Sequence, residues 1–133
     1  MIYLDSNFFL FSLFDQTIKG ENARKLAQKI IDGGGEKAIT YALTFDEVMW
    51  IVLKNKRKEA LRSTIESIYG MPNLSVKGVS ESMPLEALAL MEQFNLKPRD
   101  AFHAAVMKRE GITEIASDDP DFDRVKWLKR IKL

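Results

Sequence analysis

The chain opens with Met1-Ile2-Tyr3-Leu4-Asp5, four apolar residues followed directly by a carboxylate. A short apolar run is typical of a strand buried in a parallel sheet, so we expect a strand over Met1–Leu4. Ending such a strand does not require a charge. A carboxylate beside a buried segment is costly unless it is paired, hydrogen-bonded or bound to a cation. Asp5 is therefore the first candidate for a functional side chain.

Short apolar segments recur along the chain and alternate with helical patterns. The further strands that the sequence predicts are Lys37–Thr40, Leu74–Val76, Thr113–Ala116 and an edge strand at Val125–Leu128. The predicted helices are Phe8–Phe14, Glu21–Asp32, Thr44–Lys54, a segment ending near Tyr69, Pro84–Asn95, Arg99–Glu110 and a short turn at Asp121–Arg124. This alternation indicates an α/β fold of three layers, α/β/α, with a central, mostly parallel sheet of four to five strands. We expect residues 1–133 to form a single domain.

Three more acidic positions lie at the edges of apolar segments: Glu47, Asp100 and the pair Asp118-Asp119. Asp5 and Asp118-Asp119 follow predicted strands, whereas Glu47 and Asp100 lie in the first turns of predicted helices. In open parallel sheets, ligands bind beyond the carboxyl ends of the strands, so these side chains can share one crevice. Mg²⁺ and Mn²⁺ suit carboxylate oxygens and can promote phosphodiester hydrolysis. The sequence therefore predicts a hard-metal site.

Each of these carboxylates also has a purely structural interpretation. Glu47 could complete a capping box with Thr44, the residue expected to begin the Thr44–Lys54 helix. Asp100 could be a first-turn residue favoured by the helix dipole. Asp118-Asp119-Pro120-Asp121 could form a turn followed by a helix cap. The metal site is favoured because the four positions occur together, not because of any one of them.

Composition excludes several other classes of site. The chain has no cysteine, and therefore no disulfide, thiolate nucleophile or zinc–thiolate centre. His103 is the single histidine, and no Walker A or Gly-x-Gly-x-x-Gly motif occurs; Gly33–Gly35 is expected to end a helix. No apolar run is long enough to span a bilayer, and no secretory signal is visible, which favours a cytoplasmic protein.

The formal net charge of +1 conceals a basic body around the acidic positions. When Asp5, Glu47, Asp100, Asp118 and Asp119 are set aside, 14 acidic residues remain against 20 basic ones. A basic surface around a cation-filled cleft could attract a polyanion such as a nucleic acid. Solvated charges on helix surfaces are the alternative explanation.

The order and local contexts of the acidic residues resemble the PIN domain family and, within it, the VapC-type toxin ribonucleases. The matching segments are Leu4-Asp5-Ser6-Asn7, Thr44-Phe45-Asp46-Glu47-Val48, Asp100-Ala101-Phe102-His103-Ala104-Ala105 and Ser117-Asp118-Asp119-Pro120-Asp121-Phe122. The last of these is the most specific. The resemblance covers essentially the whole chain.

The resemblance implies cleavage of RNA by a Mg²⁺- or Mn²⁺-dependent endoribonuclease. It implies catalytic and metal-binding roles for four residues: Asp5, Glu47, Asp100 and Asp119. Asp118 could also bind the metal, directly or through water, and the choice between Asp118 and Asp119 rests on the family's register. Three further residues are implied in supporting positions: Asn7, Ser117 and Asp121, the last as a helix cap or outer-shell group.

The resemblance also implies partners, and other functions stay open. Toxin-like relatives pair with a small antitoxin that inserts into the cleft, and PIN-like domains often form homodimers. One alternative is an interaction module on the same fold that no longer cuts RNA. A second is a phosphatase of the haloacid-dehalogenase type, but its chemistry needs an aspartate where this chain has Asn7, and the chain is short for that fold.

Further side chains could contribute to the cleft. His103 lies one turn from Asp100, so it could act as a general acid, although a packed histidine is commoner. Aromatic residues that could stack on bases are Phe8, Phe9, Phe11, Phe14 and Trp50. Basic residues that could follow a phosphate backbone are Lys54, Lys56, Arg57, Lys58 and Arg62. Core packing and a solvated helix face are the respective alternatives.

Overall fold

A computed structural model describes residues 1–133 and contains five parallel strands with helices on both faces of the sheet. The strands are β1 (Ile2–Leu4), β2 (Ala38–Tyr41), β3 (Leu74–Lys77), β4 (Glu114–Ala116) and β5 (Lys129–Ile131). The α-helices are α1 (Ser6–Phe14), α2 (Ile18–Ile31), α3 (Ala42–Lys54), α4 (Leu61–Tyr69), α5 (Met83–Phe94) and α6 (Pro98–Glu110). Short 3-10 helices cover Lys58–Ala60 and Pro120–Arg124. The predicted three-layer α/β/α architecture is confirmed.

The strand order in the sheet is β3-β2-β1-β4-β5, and every pair is parallel. From β1 the chain adds β2 and β3 on one side, and it then adds β4 and β5 on the other. The order therefore reverses between β1 and β4, where the two neighbouring connections leave in opposite directions. Such a reversal opens a crevice at the carboxyl ends of the two strands. Asp5 follows β1 at this point, and Ser117-Asp118-Asp119 follows β4.

Two hydrophobic cores cover the faces of the sheet. Alternate residues of β1 take part in both, because successive side chains of a strand point to opposite faces. Tyr3 packs with residues of α5 and α6, whereas Ile2 and Leu4 pack with residues of α1, α2, α3 and α4. Helices α3 and α6 consequently lie on opposite sides of the sheet. Any contact between them has to pass beyond the ends of the strands.

The expected edge strand at Val125–Leu128 was wrong, because the edge strand is β5, directly after it. Val125 and Leu128 form a turn instead, in which the Leu128 amide donates to the Val125 carbonyl over 3.0 Å. Val125 is buried and Leu128 packs on the α5–α6 core. The charged sequence of β5 suits an exposed edge, where charges oppose pairing with other chains.

The expected capping box of Thr44 and Glu47 was also wrong. Strand β2 runs directly into α3, which begins at Ala42 and has Tyr41 as a cap without a side-chain hydrogen bond. Thr44 therefore lies inside the first turn, where its hydroxyl is 2.8 Å from that of Thr40. Glu47 is the sixth residue of the helix and caps nothing. Helix capping therefore does not explain why a carboxylate occurs at this position.

Helix α6 has the start and the end that its sequence favours. Pro98 occupies its first turn, where the missing N–H costs nothing, and Gly111 ends it with φ of 68°. That left-handed conformation is strained for residues with a Cβ atom. No helix of the structure combines the length and the apolar character needed to cross a membrane.

Gly20 is the point at which α2 approaches the end of α1. A Cβ atom at this position would lie 1.9 Å from the backbone oxygen of Asp15. We therefore expect Gly20→Ala to lower the free energy of unfolding by about 1–3 kcal/mol, although alanine favours helices. Urea denaturation measures the change. Gly34→Ala is the matched control, because no atom lies within 4 Å of its Cβ position. Equal stability of the two variants would contradict this packing.

Candidate functional site

Asp5 links β1 to α1 and is held by hydrogen bonds from several directions. Its Oδ1 accepts from the Ser6 amide at 2.7 Å, and Asp5 is the N-cap of α1. Its Oδ2 accepts from the Ser117 hydroxyl at 2.6 Å and lies 3.4 Å from the Asn7 amide nitrogen. Only 7% of the side chain is exposed. Asp5 is thus fixed by residues that follow both strands of the crevice.

Glu47 reaches the crevice from α3 and meets donors from two other helices. The nitrogen Nε2 of His103, on α6, lies 2.7 Å from its Oε1, and the Ser6 hydroxyl donates to its Oε2 over 3.0 Å. His103 Nε2 also lies 3.4 Å from Asp5 Oδ1. Asp5, Glu47 and His103 form the first of two groups whose potential metal-ligand atoms lie within 4.8 Å of one another.

The second group consists of Asp100, Asp119 and Asp121, again with ligand atoms within 4.8 Å of one another. Asp100 lies in the first turn of α6, as expected. Asp119 caps the Pro120–Arg124 helix, and its Oδ1 accepts from the Asp121 amide at 2.9 Å. Asp121, predicted as a cap or an outer-shell group, is therefore not the cap. Its carboxylate joins the acidic cluster.

The electrostatics of the two groups differ. Burial, and then the neighbouring Asp119 carboxylate, raise the pKa of Asp100 to about 6. Burial also acts to raise the pKa of Glu47, but the hydrogen bond and positive potential of His103, together with the Ser6 hydrogen bond and Arg99, hold that pKa below its ordinary value. Asp121 forms an ion pair with Arg124 at 3.2 Å, but Asp100 and Asp119 have no basic partner within ion-pair distance, and a bound cation would neutralise their negative charge.

Asp118 lies apart from both groups and forms an ion pair with Lys19 of α2. Its amide donates to the Asn7 side-chain oxygen over 3.3 Å, and the Asp119 amide donates to the Ser117 hydroxyl over 3.0 Å. Asn7 and Ser117 thus connect Asp5 to the segment after β4. The two adjacent aspartates differ in their surroundings: Asp119 faces other carboxylates, and Asp118 faces an ammonium group.

Two contributors to the site were missed by sequence reasoning. Ser6 was not among the predicted site residues, yet its hydroxyl donates to Glu47. Arg130, on β5, donates to the Ser117 carbonyl over 3.3 Å and to both carboxylate oxygens of Asp123 over 2.9 Å. It therefore braces the segment that carries Asp119. No local signal reveals it, because an arginine in an edge strand is ordinary.

The aromatic and basic candidates are divided by the structure. Phe8 and Phe9 are buried in the core beneath α1, so the suggestion that they stack on bases was wrong. Trp50 is 56% exposed and stays a candidate. The guanidinium carbon of Arg57 lies over the Phe14 ring, 5.4 Å from the centre of that ring. The basic residues from Lys54 to Arg62 are exposed on the surface.

Comparison with known proteins identifies related chains. The profile of the PIN domain matches residues 2–128. Ribonuclease VapC13 of Mycobacterium tuberculosis is 30% identical over an alignment of 138 positions, gaps included, which covers 98% of this chain and 99% of the relative. The match to a family profile over nearly the whole chain agrees with the order of its acidic residues.

Solved structures share the fold at lower sequence identity. Mycobacterium tuberculosis VapC20, described as a sarcin-ricin loop cleaving toxin, has a TM-score of 0.78 and 17% identity, with 95% of each chain covered. VapBC2 from Rickettsia felis, bound to a DNA fragment from its promoter, has a TM-score of 0.70 and 19% identity, with 99% of this chain and 98% of that chain covered.

Proposed function

Because this chain belongs to the PIN domain family, we propose that it is a divalent-metal-dependent endoribonuclease of the VapC type. The observation that carries the proposal is the convergence of two acidic groups, Asp5 with Glu47 and Asp100 with Asp119, at the crevice between β1 and β4. We propose that residues 1–133 act as one nuclease domain and that RNA is the substrate.

The donor set fits Mg²⁺ or Mn²⁺. Both ions prefer oxygen ligands, and the site offers carboxylates with a single imidazole and no thiolate. The raised pKa of Asp100 is a second indication, because unneutralised carboxylates in close contact favour a cation. We propose Asp5, Glu47, Asp100 and Asp119 as the residues that hold the metal, with Asp121 beside them. Asp118 could join them only if its ion pair with Lys19 opened.

The chain's own residues would organise the reaction around that metal. A bound Mg²⁺ or Mn²⁺ supplies positive charge to the scissile phosphate and makes the attacking water more acidic. The carboxylates would position the water, while Asn7 and Ser117 hold Asp5 in register with the segment that carries Asp119. Arg130 would limit movement of that segment. Such preorganisation reduces the reorganisation needed at the transition state.

We further propose that the chain is the toxin of a toxin–antitoxin pair, acting in the cytoplasm as a homodimer. Its curated relatives are named as VapC ribonucleases, and one solved neighbour is a VapBC complex. A partly apolar groove between α1, α2 and the end of α4, lined in part by Leu13, Ile31 and Met71 and separate from the acidic cleft, suits a helix of a small protein partner. Co-purification with the product of an adjacent reading frame would support this pairing.

Metal removal tests the nuclease proposal directly. We expect the purified chain to cleave a mixed RNA pool in the presence of Mg²⁺ or Mn²⁺. Cleavage should stop with excess EDTA and return when either ion is added back. The carboxylates are themselves anions, so only a bound cation can neutralise the negative charge of the scissile phosphate. Gel analysis of labelled RNA provides the measurement, and a phosphomonoester substrate serves as the control for phosphatase activity.

Two results would count against this function. Cleavage that persists in EDTA would show that the reaction does not need the metal. Absence of cleavage under all ion conditions, together with binding of RNA or of a protein partner, would favour an interaction module without nuclease activity.

A further inference from the structure

His103 occupies an unusual place for a histidine near an acidic site. It lies on α6 and is 1% exposed, yet its Nε2 is 2.7 Å from Oε1 of Glu47 on α3. The two helices are on opposite faces of the sheet, so this contact joins the layers beyond the ends of the strands. No other side-chain hydrogen bond links α3 to α6. His103 therefore provides the hydrogen bond that connects Glu47 to α6, the helix that also carries Asp100.

The imidazole ring is fixed by its surroundings. The Tyr3 hydroxyl lies 2.7 Å from Nδ1, and the rings of Tyr3, Tyr41 and Phe122 make edge contacts with the imidazole at centre distances of 5.5, 5.0 and 6.2 Å. A ring that is enclosed in this way cannot turn out toward a substrate. This arrangement argues against the general-acid role considered for His103 from the sequence.

The direction of the hydrogen bond follows from the chemistry of its two partners. An ionised carboxylate only accepts hydrogen bonds, so Nε2 must carry the proton that it shares with Glu47. This holds for the neutral ring, in which Nδ1 accepts from Tyr3, and equally for the charged ring, in which both nitrogens donate. His103 is a donor to Glu47 in either state.

Each oxygen of Glu47 has a single side-chain donor, His103 on Oε1 and Ser6 on Oε2. Two donors on separate oxygens fix the plane of the carboxylate. A carboxylate has about four lone-pair positions, so this pattern leaves further positions on both oxygens for a cation. The two hydrogen bonds thus orient the carboxylate and leave lone pairs free for metal binding.

We propose that His103 is a positioning residue that orients Glu47 for metal binding through its Nε2–H. The inference rests on the proposed function, since it assigns His103 a role in the same metal site. Partners that orient a metal-binding carboxylate are typically worth 10–100-fold in metal affinity. His103 does not itself bind the metal or contact the RNA.

The test is Mn²⁺ binding to the purified full chain, measured by isothermal titration calorimetry. We expect His103→Phe, which keeps a buried aromatic ring but no donor, to weaken Mn²⁺ binding about 10–100-fold. His103→Gln should stay close to the wild type, because its amide N–H can reach the place of Nε2. His103→Asn is the short amide that cannot reach Glu47, and it replaces the Phe variant if that protein does not fold.

A double-mutant cycle with Glu47→Gln separates positioning from a general structural effect. If His103 acts through Glu47, His103→Phe or His103→Asn should cause little further loss of Mn²⁺ affinity once Glu47 is replaced. Urea denaturation of the same variants reports stability separately. Equal losses in both backgrounds would overturn the inference, as would Mn²⁺ affinity in the His103→Asn variant equal to that of the wild type.

Two other results are decisive. Nitrogen coupling to Mn²⁺ in pulsed EPR would show that His103 is a direct ligand and would overturn the positioning role. Failure of the wild type to bind Mn²⁺ at all would overturn the metal-dependent function, and this inference with it. The two failures are therefore distinguishable.

Discussion

Replacing Asp5 with asparagine is expected to lower the rate of RNA cleavage by at least about 10²-fold while the protein stays folded. Loss of an outer-shell partner of a metal site already costs 10–100-fold, and a proposed direct ligand should cost no less. Asparagine is as good an N-cap as aspartate, so the start of α1 should survive. Its amide nitrogen would face the Ser117 hydroxyl, which already accepts from the Asp119 amide and the Asn7 side chain, so these hydrogen bonds should shift locally. The charge is removed, while the helix cap is kept.

The measurement is a cleavage assay with Mg²⁺, alongside circular dichroism to verify folding. Asp46→Asn is the matched control, because Asp46 is the exposed neighbour of Glu47 on α3 and carries the same chemical change outside the site. We expect the control to cut RNA at the wild-type rate. A folded Asp5→Asn protein that cuts as fast as the wild type would refute the proposed mechanism.

Replacing Asp100 with asparagine should also abolish cleavage, but it should make the metal-free protein more stable. Asp100 is half-buried beside Asp119, and these surroundings raise its pKa from 3.8 to about 6. Above pH 6 the folded protein therefore carries a carboxylate that it disfavours. Asparagine removes the charge and keeps the shape. Functional sites commonly reduce stability in this way.

The sign of the pH dependence follows from proton binding. Between about pH 4 and pH 6 the folded state holds the Asp100 proton more tightly than the unfolded state, so the free energy of unfolding of the wild type falls as pH rises. Above pH 6 the whole penalty is present. Full burial would make this difference in pKa worth about 3 kcal/mol. Since Asp100 is partly exposed to solvent, we expect the variant to gain ~1 kcal/mol.

Urea denaturation of metal-free protein at pH 5 and pH 7.5 tests this expectation. Asp100→Asn should exceed the wild type in stability at pH 7.5, and the difference should shrink at pH 5. Added Mg²⁺ should stabilise the wild type more than the variant, because only the wild type keeps the full set of carboxylates. An Asp100→Asn protein that is less stable than the wild type at pH 7.5 would contradict the claim that the Asp100 carboxylate destabilises the metal-free protein.

Much of the architecture could be predicted from local patterns. The buried strand Ile2–Leu4 is recognisable because buried parallel strands are apolar, and Ile115 and Ala116 mark β4 in the same way. Helix α6 was recognisable from its periodic apolar residues, with Pro98 in its first turn and Gly111 after it. The fifth strand could not be placed in this way. Its charged residues follow the more apolar turn at Val125–Leu128. Composition alone therefore predicts the strand at the turn and not at β5.

The candidate site was only partly visible in the sequence. Asp5, Glu47, Asp100 and the pair Asp118-Asp119 were selected because they border apolar segments, and Asp119 was preferred within the pair only from the family's register. The structure brings Asp5, Glu47, Asp100 and Asp119 to the same crevice. The role of each residue was less accessible. Asp5 was expected to have no structural task, yet it caps α1. Glu47 was expected to have one, yet its capping box does not form.

The sequence by itself determined the layer architecture, the positions of the acidic residues and the absence of competing catalytic groups, because these depend on residue type and on short-range spacing. The tertiary structure alone decided which acidic residues share an environment. It paired Asp118 with Lys19, placed Asp121 beside Asp100, and set His103 against Glu47. Those partners are separated along the chain and meet only in the packed fold, at the crevice between β1 and β4. Contacts of that kind are properties of packing, which no local pattern records.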